Sequence, residues 1–289
     1  MSSQRTMAAN TDRHALLMGG SGQIGEAAVA RLLAAGWRIS ALSRQPRQSR
    51  PGLQWLAGEL DNPGELPHQV DCIFSMGPLD AFARWYAASS IDCPRVIAFG
   101  STSLETKQTS LDAHEGDLAL RLHQAEASVF ATASQRSAVA TLLRPTLVYG
   151  SGRDQNISRI AAMARRSGFF ILPSGASGLR QPVHVEDLAA AALAVFDCDA
   201  AGGKAYALPG AEALPYDQMV ARTLRALAPS ARLWRLPMPV FRLAVKVARA
   251  SGRLQGLTDA AISRLGEDLV FDDSAARADF GYAPRGFVL

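Results

Sequence analysis

Cysteine is scarce in this 289-residue chain: Cys72, Cys93 and Cys198, with no Cys-x-x-Cys pair. That excludes a disulfide framework and a cysteine-built zinc site, and it fits a reducing, cytoplasmic compartment. No metal is expected. Lysine is as scarce, with only Lys107, Lys204 and Lys246, so the positive charge is almost all arginine. Arginine forks suit phosphate and carboxylate groups. The net charge is +4, but the basic residues are spread along the chain, whereas a nucleic-acid footprint is clustered. No apolar run reaches the ~18 residues of a spanning helix. Residues 1–13 lack the apolar middle of a secretory signal and read as a flexible leader. Charged residues make up 19% and hydrophobic ones 48%, which excludes a disordered polymer and leaves material for a sizeable core.

What is present is an alternation of strand-like and helix-like segments. Short apolar runs at 15–18, 37–43, 53–57, 71–75, 95–99 and 140–143 read as strands. Helical spacing marks 26–35 (stopping at Gly36), 82–89 and 117–133. Such alternation predicts an α/β fold, a Rossmann-type doubly wound parallel sheet. After Tyr149-Gly150 the pattern changes. Helices are expected at 156–167, 186–196, 216–228, 236–253 and 259–265. Strands are expected at 169–172, 181–185 and 205–208, and a helical turn and loop within 271–289. The division is a leader (1–13), a dinucleotide-binding domain (14–150) and a smaller C-terminal substrate lobe (151–289), some of whose elements return to the sheet. In the 236–253 helix, Arg242, Lys246, Arg249 and Arg253 share one face, and Phe241, Val245 and Ala248 another. A solvated lobe helix is the plainer reading; contact with an anionic membrane surface is the other.

The segment Gly19-Gly20-Ser21-Gly22-Gln23-Ile24-Gly25 joins the first strand to the first helix. Glycines at 19, 22 and 25 permit a tight turn and close approach of a pyrophosphate, and the helix N-terminus offers free N–H groups. Gly19, Ser21, Gly22, Gln23, Ile24 and Gly25 are therefore cofactor-site candidates. The second strand ends at Ser43-Arg44. An acid there would favour NAD by binding the ribose 2′-hydroxyl; a serine and an arginine cradle a 2′-phosphate, so NADP is preferred over NAD. Glu59 and Leu60, after the third strand, would cover the adenine. Met76 and Gly77, after the fourth, would pass beneath the nicotinamide ribose.

Together with Ser101-Thr102-Ser103, Leu143-Arg144-Pro145-Thr146-Leu147-Val148-Tyr149-Gly150, Gly152-Arg153, Arg180-Gln181-Pro182-Val183-His184-Val185-Glu186-Asp187 and Phe280-Gly281-Tyr282-Ala283-Pro284, this loop resembles the extended short-chain dehydrogenase/reductase superfamily, in its nucleotide-sugar epimerase/dehydratase branch. The resemblance covers residues 15–289. It implies an NAD(P)-dependent epimerase, dehydratase or reductase acting on a nucleotide-linked sugar, with Arg144 and Pro145 beside the cofactor. Family members often dimerise through the helices flanking the fifth strand, so a homodimer is implied. The family's Tyr-x-x-x-Lys acid–base pair has no counterpart: Leu120 and Gln124 take those places, or Leu118 and Leu122 in a frame shifted by two. No tyrosine lies between Tyr86 and Tyr149. Ser101, Thr102 and Ser103 then remain to polarise the substrate oxygen. Lys107 is a candidate proton donor or ribose anchor, with a solvated loop lysine as the alternative. His123 and Tyr149 read as structural. On the substrate side, Asn156 would lie near the ligand, while Arg153 and Arg180 would clamp a pyrophosphate; Arg180 suits an ion pair between lobes equally well. His184 and Asp187 read as structural, with Asp187 as a helix cap. The competing functions are a non-catalytic NADP-binding sensor or scaffold and an enzyme with relocated acid–base chemistry on an apolar substrate.

Overall fold

The computed structural model of the chain describes residues 13–106, 113–250 and 259–289. The leader (apart from Arg13), Lys107 and Arg253 lie outside the described residues. The strands are β1 (His14–Met18), β2 (Arg38–Ser43), β3 (Leu53–Ala57), β4 (Cys72–Ser75), β5 (Arg95–Phe99), β6 (Val139–Pro145), β7 (Val148–Tyr149), β8 (Phe169–Pro173), β9 (Leu179–Arg180), β10 (Val183–His184), β11 (Ala205–Leu208), β12 (Leu214–Pro215) and β13 (Arg232–Leu236). The α-helices are α1 (Gln23–Ala34), α2 (Leu79–Ala88), α3 (Ser103–Thr106), α4 (Ala113–Gln135), α5 (Ile157–Ser167), α6 (Val185–Phe196), α7 (Tyr216–Arg225), α8 (Met238–Ala250), α9 (Asp259–Ser263) and α10 (Ser274–Phe280).

Seven strands form one sheet in the order β11-β6-β5-β4-β1-β2-β3, and every pair in it is parallel. A parallel sheet must be covered on both faces, and the period of two along each strand divides its residues between two cores. Leu17, Phe74, Ile97 and Leu143 face the alanine-rich helices α1 and α6, where Ala28, Leu32, Leu188 and Ala192 are buried. Leu16, Ile73, Val96 and Leu142 face the other way, onto Phe82 and Tyr86 of α2 and Val129 of α4. Strand β11 and helix α6 come from the second half of the chain, so that half completes both the sheet and one of its covering layers.

Helices α5 and α7 and strand β8 form a smaller unit. Ile160 and Ala164 of α5, Leu172 of β8, and Val220 and Leu224 of α7 share a separate core. Here the structure departs from the sequence expectations. Residues 232–236 form a strand, β13, parallel to β8, where only the start of a helix was expected. The helix begins at Met238, after Pro237, whose fixed φ and missing donor suit a helix start. The strand expected at 181–185 is two short pieces: β9 pairs with β12 and β10 with β7. Pro182, between them, cannot donate to a ladder. Helices α2 and α1 begin three residues earlier than expected, the first directly after Pro78 and the second at the glycine loop.

Candidate active site

The sheet order reverses direction between β1 and β4, and ligands of such sheets bind at the strand ends beside that switch point. The glycine loop lies there. Gly19 has φ +78°, and a Cβ on it would come within 2.9 Å of Met76 and Gly77 main-chain atoms. The turns after β1 and β4 are therefore in contact. A Cβ on Gly25 would sit 2.1 Å from the Gly19 carbonyl oxygen, so the helix can approach the turn only with glycine at that position. The Gly22 N–H donates to Gly19 O (2.9 Å). Gly22 is also the N-cap of α1 and supplies no capping side chain, so the first-turn amides remain available to an anion.

Around this loop, Ser43 is buried and its hydroxyl donates to the Gln45 carbonyl (2.8 Å). Arg44 is exposed. Arg47 lies over the Trp55 ring and 3.7 Å from Glu26. Glu59 and Asn62 exchange main-chain hydrogen bonds in a tight turn, and Leu60 packs against the core. From the other side of the loop, the Ser151 hydroxyl donates to Gln23 Oε1 (3.1 Å). Arg153 donates to the Ser21 carbonyl (3.3 Å) and pairs with Glu26 (2.7 Å).

At the ends of β5 and β6, Ser101 Oγ accepts the Ser103 N–H (3.1 Å). Thr102 is buried and turned inward, its hydroxyl donating to the Pro145 carbonyl (3.2 Å). Arg144 is gripped by two carboxylates: its Nε and Nη2 donate to buried Glu126, and Nη1 donates to Glu105 (3.0 Å). Hydrogen bonding to Glu126 raises the Arg144 pKa further. Arg144 and Glu105 open onto a cleft of about 370 Å³ that Tyr206, Phe271, Asp272 and Ala276 also line. Three strand spacings separate β6 from β1, about 14 Å. On α4, Leu118, Leu122 and Glu126 recur every four residues and share a face. Glu126 fixes that face toward the sheet. Leu120 is 55% exposed and Gln124 is exposed. The frame that meets the sheet is thus 118/122, whereas 120/124 points to solvent. His123 is exposed as well.

The other expected residues fall into place as follows. Arg180 is buried, and its guanidinium donates to the carbonyls of Leu179, Glu267 and Arg264 at 2.6–2.8 Å while lying over the Tyr216 ring. Burial lowers its pKa. Among the described residues it forms no ion pair between lobes; its partners are main-chain carbonyls. Asn156 is exposed at the N-cap of α5, its N–H donating to Asp154. His184, not Asp187, caps α6: its Nδ1 accepts the Glu186 N–H (3.2 Å), and burial lowers its pKa. Asp187 instead pairs with Arg285 (2.8 Å). Tyr149 is buried against His184 and Phe287, its hydroxyl donating to the Gly286 carbonyl (3.3 Å), and burial raises its pKa. Among the described residues no cluster of His, Cys, Asp and Glu could hold a metal, and no helix is long and apolar enough to cross a membrane.

No family model matches the chain. A curated relative, the 2-alkyl-3-oxoalkanoate reductase of Stenotrophomonas maltophilia, is 26% identical over 93% of this chain and 94% of its own length. Among solved structures, the epimerase Mth375 of Methanothermobacter thermautotrophicus superposes with a TM-score of 0.71 at 14% identity, covering 96% of this chain and 89% of that one. MoeE5, solved with UDP-glucose and NAD, gives 0.69 at 16% identity, covering 95% and 94%. The chain shares with these proteins a Rossmann-type α/β fold built on a parallel central sheet. Within this fold, three polar residues at the site escaped the sequence reading: Glu26, Glu126 and Ser151. Glu126 had a signal, being the one acid on α4 in register with Leu118 and Leu122. Ser151 and Glu26 had none, because their contacts depend on how the segment after β7 folds back onto the glycine loop.

Proposed function

We propose that the chain is an NAD(P)-dependent oxidoreductase that reduces or oxidises a carbonyl carbon. The observation that carries this is the uncapped N-terminus of α1, walled by a glycine whose Cβ would strike the opposite strand of the turn. A bound nicotinamide would supply or take the hydride. The first-turn amides of α1 hold its pyrophosphate, with Ser21, Gln23 and Ile24 alongside. Arg153 joins them on the cofactor side, since it already reaches the Ser21 carbonyl. Arg44, exposed after a strand that ends without an acid, reads a 2′-phosphate, which supports NADP over NAD. Leu60 and Glu59 cover the adenine, and Met76, Gly77 and the Pro145 main chain border the ribose and nicotinamide. Ser101 and Ser103 hydrogen-bond the substrate oxygen, Thr102 anchors their loop to β6, and Lys107 donates the proton or holds the ribose. Asn156 stays on the substrate side. Arg180 is left out of the substrate clamp because its donors are already engaged by carbonyls.

With Arg180 and Arg153 so placed, little remains to clamp a second pyrophosphate. Leu118 and Leu122 also present hydrocarbon where the family carries its acid. Both points support a ketone carried on an alkyl chain, in line with the name of the S. maltophilia relative. A nucleotide-linked sugar is the second reading, supported by the UDP-glucose in MoeE5. The test is to denature the purified protein, identify any released nucleotide, and then follow NADPH oxidation with alkyl 3-oxo acids and, because epimerisation or dehydration returns the hydride and leaves the cofactor unchanged, product formation from UDP-sugars by chromatography. Gly25→Ala should abolish nucleotide retention in a protein that still folds. Unchanged retention would overturn the cofactor site, and retention without turnover on either substrate class would leave a sensor.

A further inference from the structure

Helix α8 has three faces rather than two. At 100° per residue, Phe241 and Val245 fall on one side and are buried against Ile171, Leu236 and Ile262. Val240, Leu243 and Val247 fall on a second, and they are 50–63% exposed. Arg242, Lys246 and Arg249 fall on a third. The exposed apolar strip continues past the helix. On β13, Trp234 and Leu236 point to the same side of the β8–β13 ribbon. Leu236 lies beneath α8, but Trp234 is 48% exposed and stacks on Phe169 with ring centres 4.6 Å apart.

The charge around this strip is one-sided. Residues 232–250 contain five arginines and lysines and no acid, in a chain whose remainder is net negative. Arg235 and Arg249 are paired with Asp217 and Asp259. Arg232, Arg242 and Lys246 are exposed and have no acidic partner among the described residues. We propose that α8 and the open side of the β8–β13 ribbon dock onto an anionic lipid bilayer. The apolar strip with its tryptophan would enter the headgroup boundary while the flanking guanidinium and ammonium groups meet lipid phosphates. Charge argues against a second copy as the occupant: apposing two such faces sets unpaired cations against unpaired cations, which is repulsive.

The test is co-sedimentation of the full chain with vesicles of phosphatidylcholine alone and of phosphatidylcholine with phosphatidylglycerol. Binding is expected on the anionic vesicles only, and it should weaken at high salt. Arg242→Gln combined with Lys246→Gln should lower partitioning about 30-fold. Leu243→Asp combined with Val247→Asp should abolish it, with unchanged circular dichroism in both variants. Trp234→Phe should remove a lipid-induced blue shift of the fluorescence. Absence of binding, equal binding to both vesicle types, or binding indifferent to these variants would overturn the proposal. So would a dimer in solution that Leu243→Asp with Val247→Asp converts to monomer, since that assigns the face to a second copy.

Discussion

The grip of Glu126 on Arg144 holds the end of β6 against α4, and its strength can be worked from the geometry. Glu126 is 6% exposed at its side chain and Arg144 20%, and two of the guanidinium nitrogens point at the one carboxylate. Glu126→Gln keeps the shape and removes the charge. Breaking a buried pair typically costs about 3–5 kcal/mol because a charge is left uncompensated. Here Arg144 keeps Glu105 at 3.0 Å and some contact with water, so the loss should fall to about 2–3 kcal/mol. In a chain of this size that is a fall in Tm of roughly 3–5 °C. Replacing both partners, Glu126→Leu with Arg144→Met, removes the desolvation penalty along with the attraction, and should be more stable than Glu126→Gln. Urea unfolding and thermal melts of the three proteins give the comparison. A loss below about 0.5 kcal/mol for Glu126→Gln, the level of a surface substitution, would refute the reasoning. So would a double variant less stable than that single one.

Arg44→Ala should weaken NADP binding about 10- to 100-fold, the worth of a charge-assisted hydrogen bond, and leave NAD nearly unchanged; equal losses by isothermal titration would count against a 2′-phosphate contact. Arg153→Ala should weaken both cofactors alike and spare the substrate KM, whereas a rise in substrate KM alone would return Arg153 to the substrate side. His184 has its pKa held below the ordinary value of 6.5 by burial. The unfolded chain therefore takes up a proton first, so the stability His184 contributes is complete above pH 6.5 and is lost as pH falls through its lower folded value. Urea midpoints at pH 7.5 and 5.5 should diverge less in His184→Asn, which keeps a capping oxygen, than in the unsubstituted protein; identical slopes would remove His184 as the source.

The first half of the fold was legible because its strands are short apolar runs closed by glycine, and a buried parallel strand leaves that trace. The glycine loop stood out for the same local reason: its constraints are steric and lie within seven residues. Legibility failed where a residue's partner is remote. Arg180 reads from the sequence as a pyrophosphate clamp or an ion pair between lobes, yet it is braced by carbonyls some 85 positions away, at Arg264 and Glu267. β13 was hidden because Leu233, Trp234 and Leu236 run directly into the helical pattern of α8, and only its pairing with β8 makes it a strand. On α4 the choice between the 118/122 and 120/124 frames needed the Glu126–Arg144 contact, which joins two elements 18 residues apart.

The placement of β11 sets an order on how the chain can acquire its shape. Until residues 205–208 have been made, β6 is a raw edge, and until 185–196 have been made, one side of the sheet has only α1 to shield Phe74, Ile97 and Leu143 from water. Open edges and bare apolar strands are what other chains adhere to. A fragment cut at residue 150 would therefore be sticky rather than a minimal cofactor-binding unit, and a ribosome making this protein carries that hazard until nearly three-quarters of the message has been read.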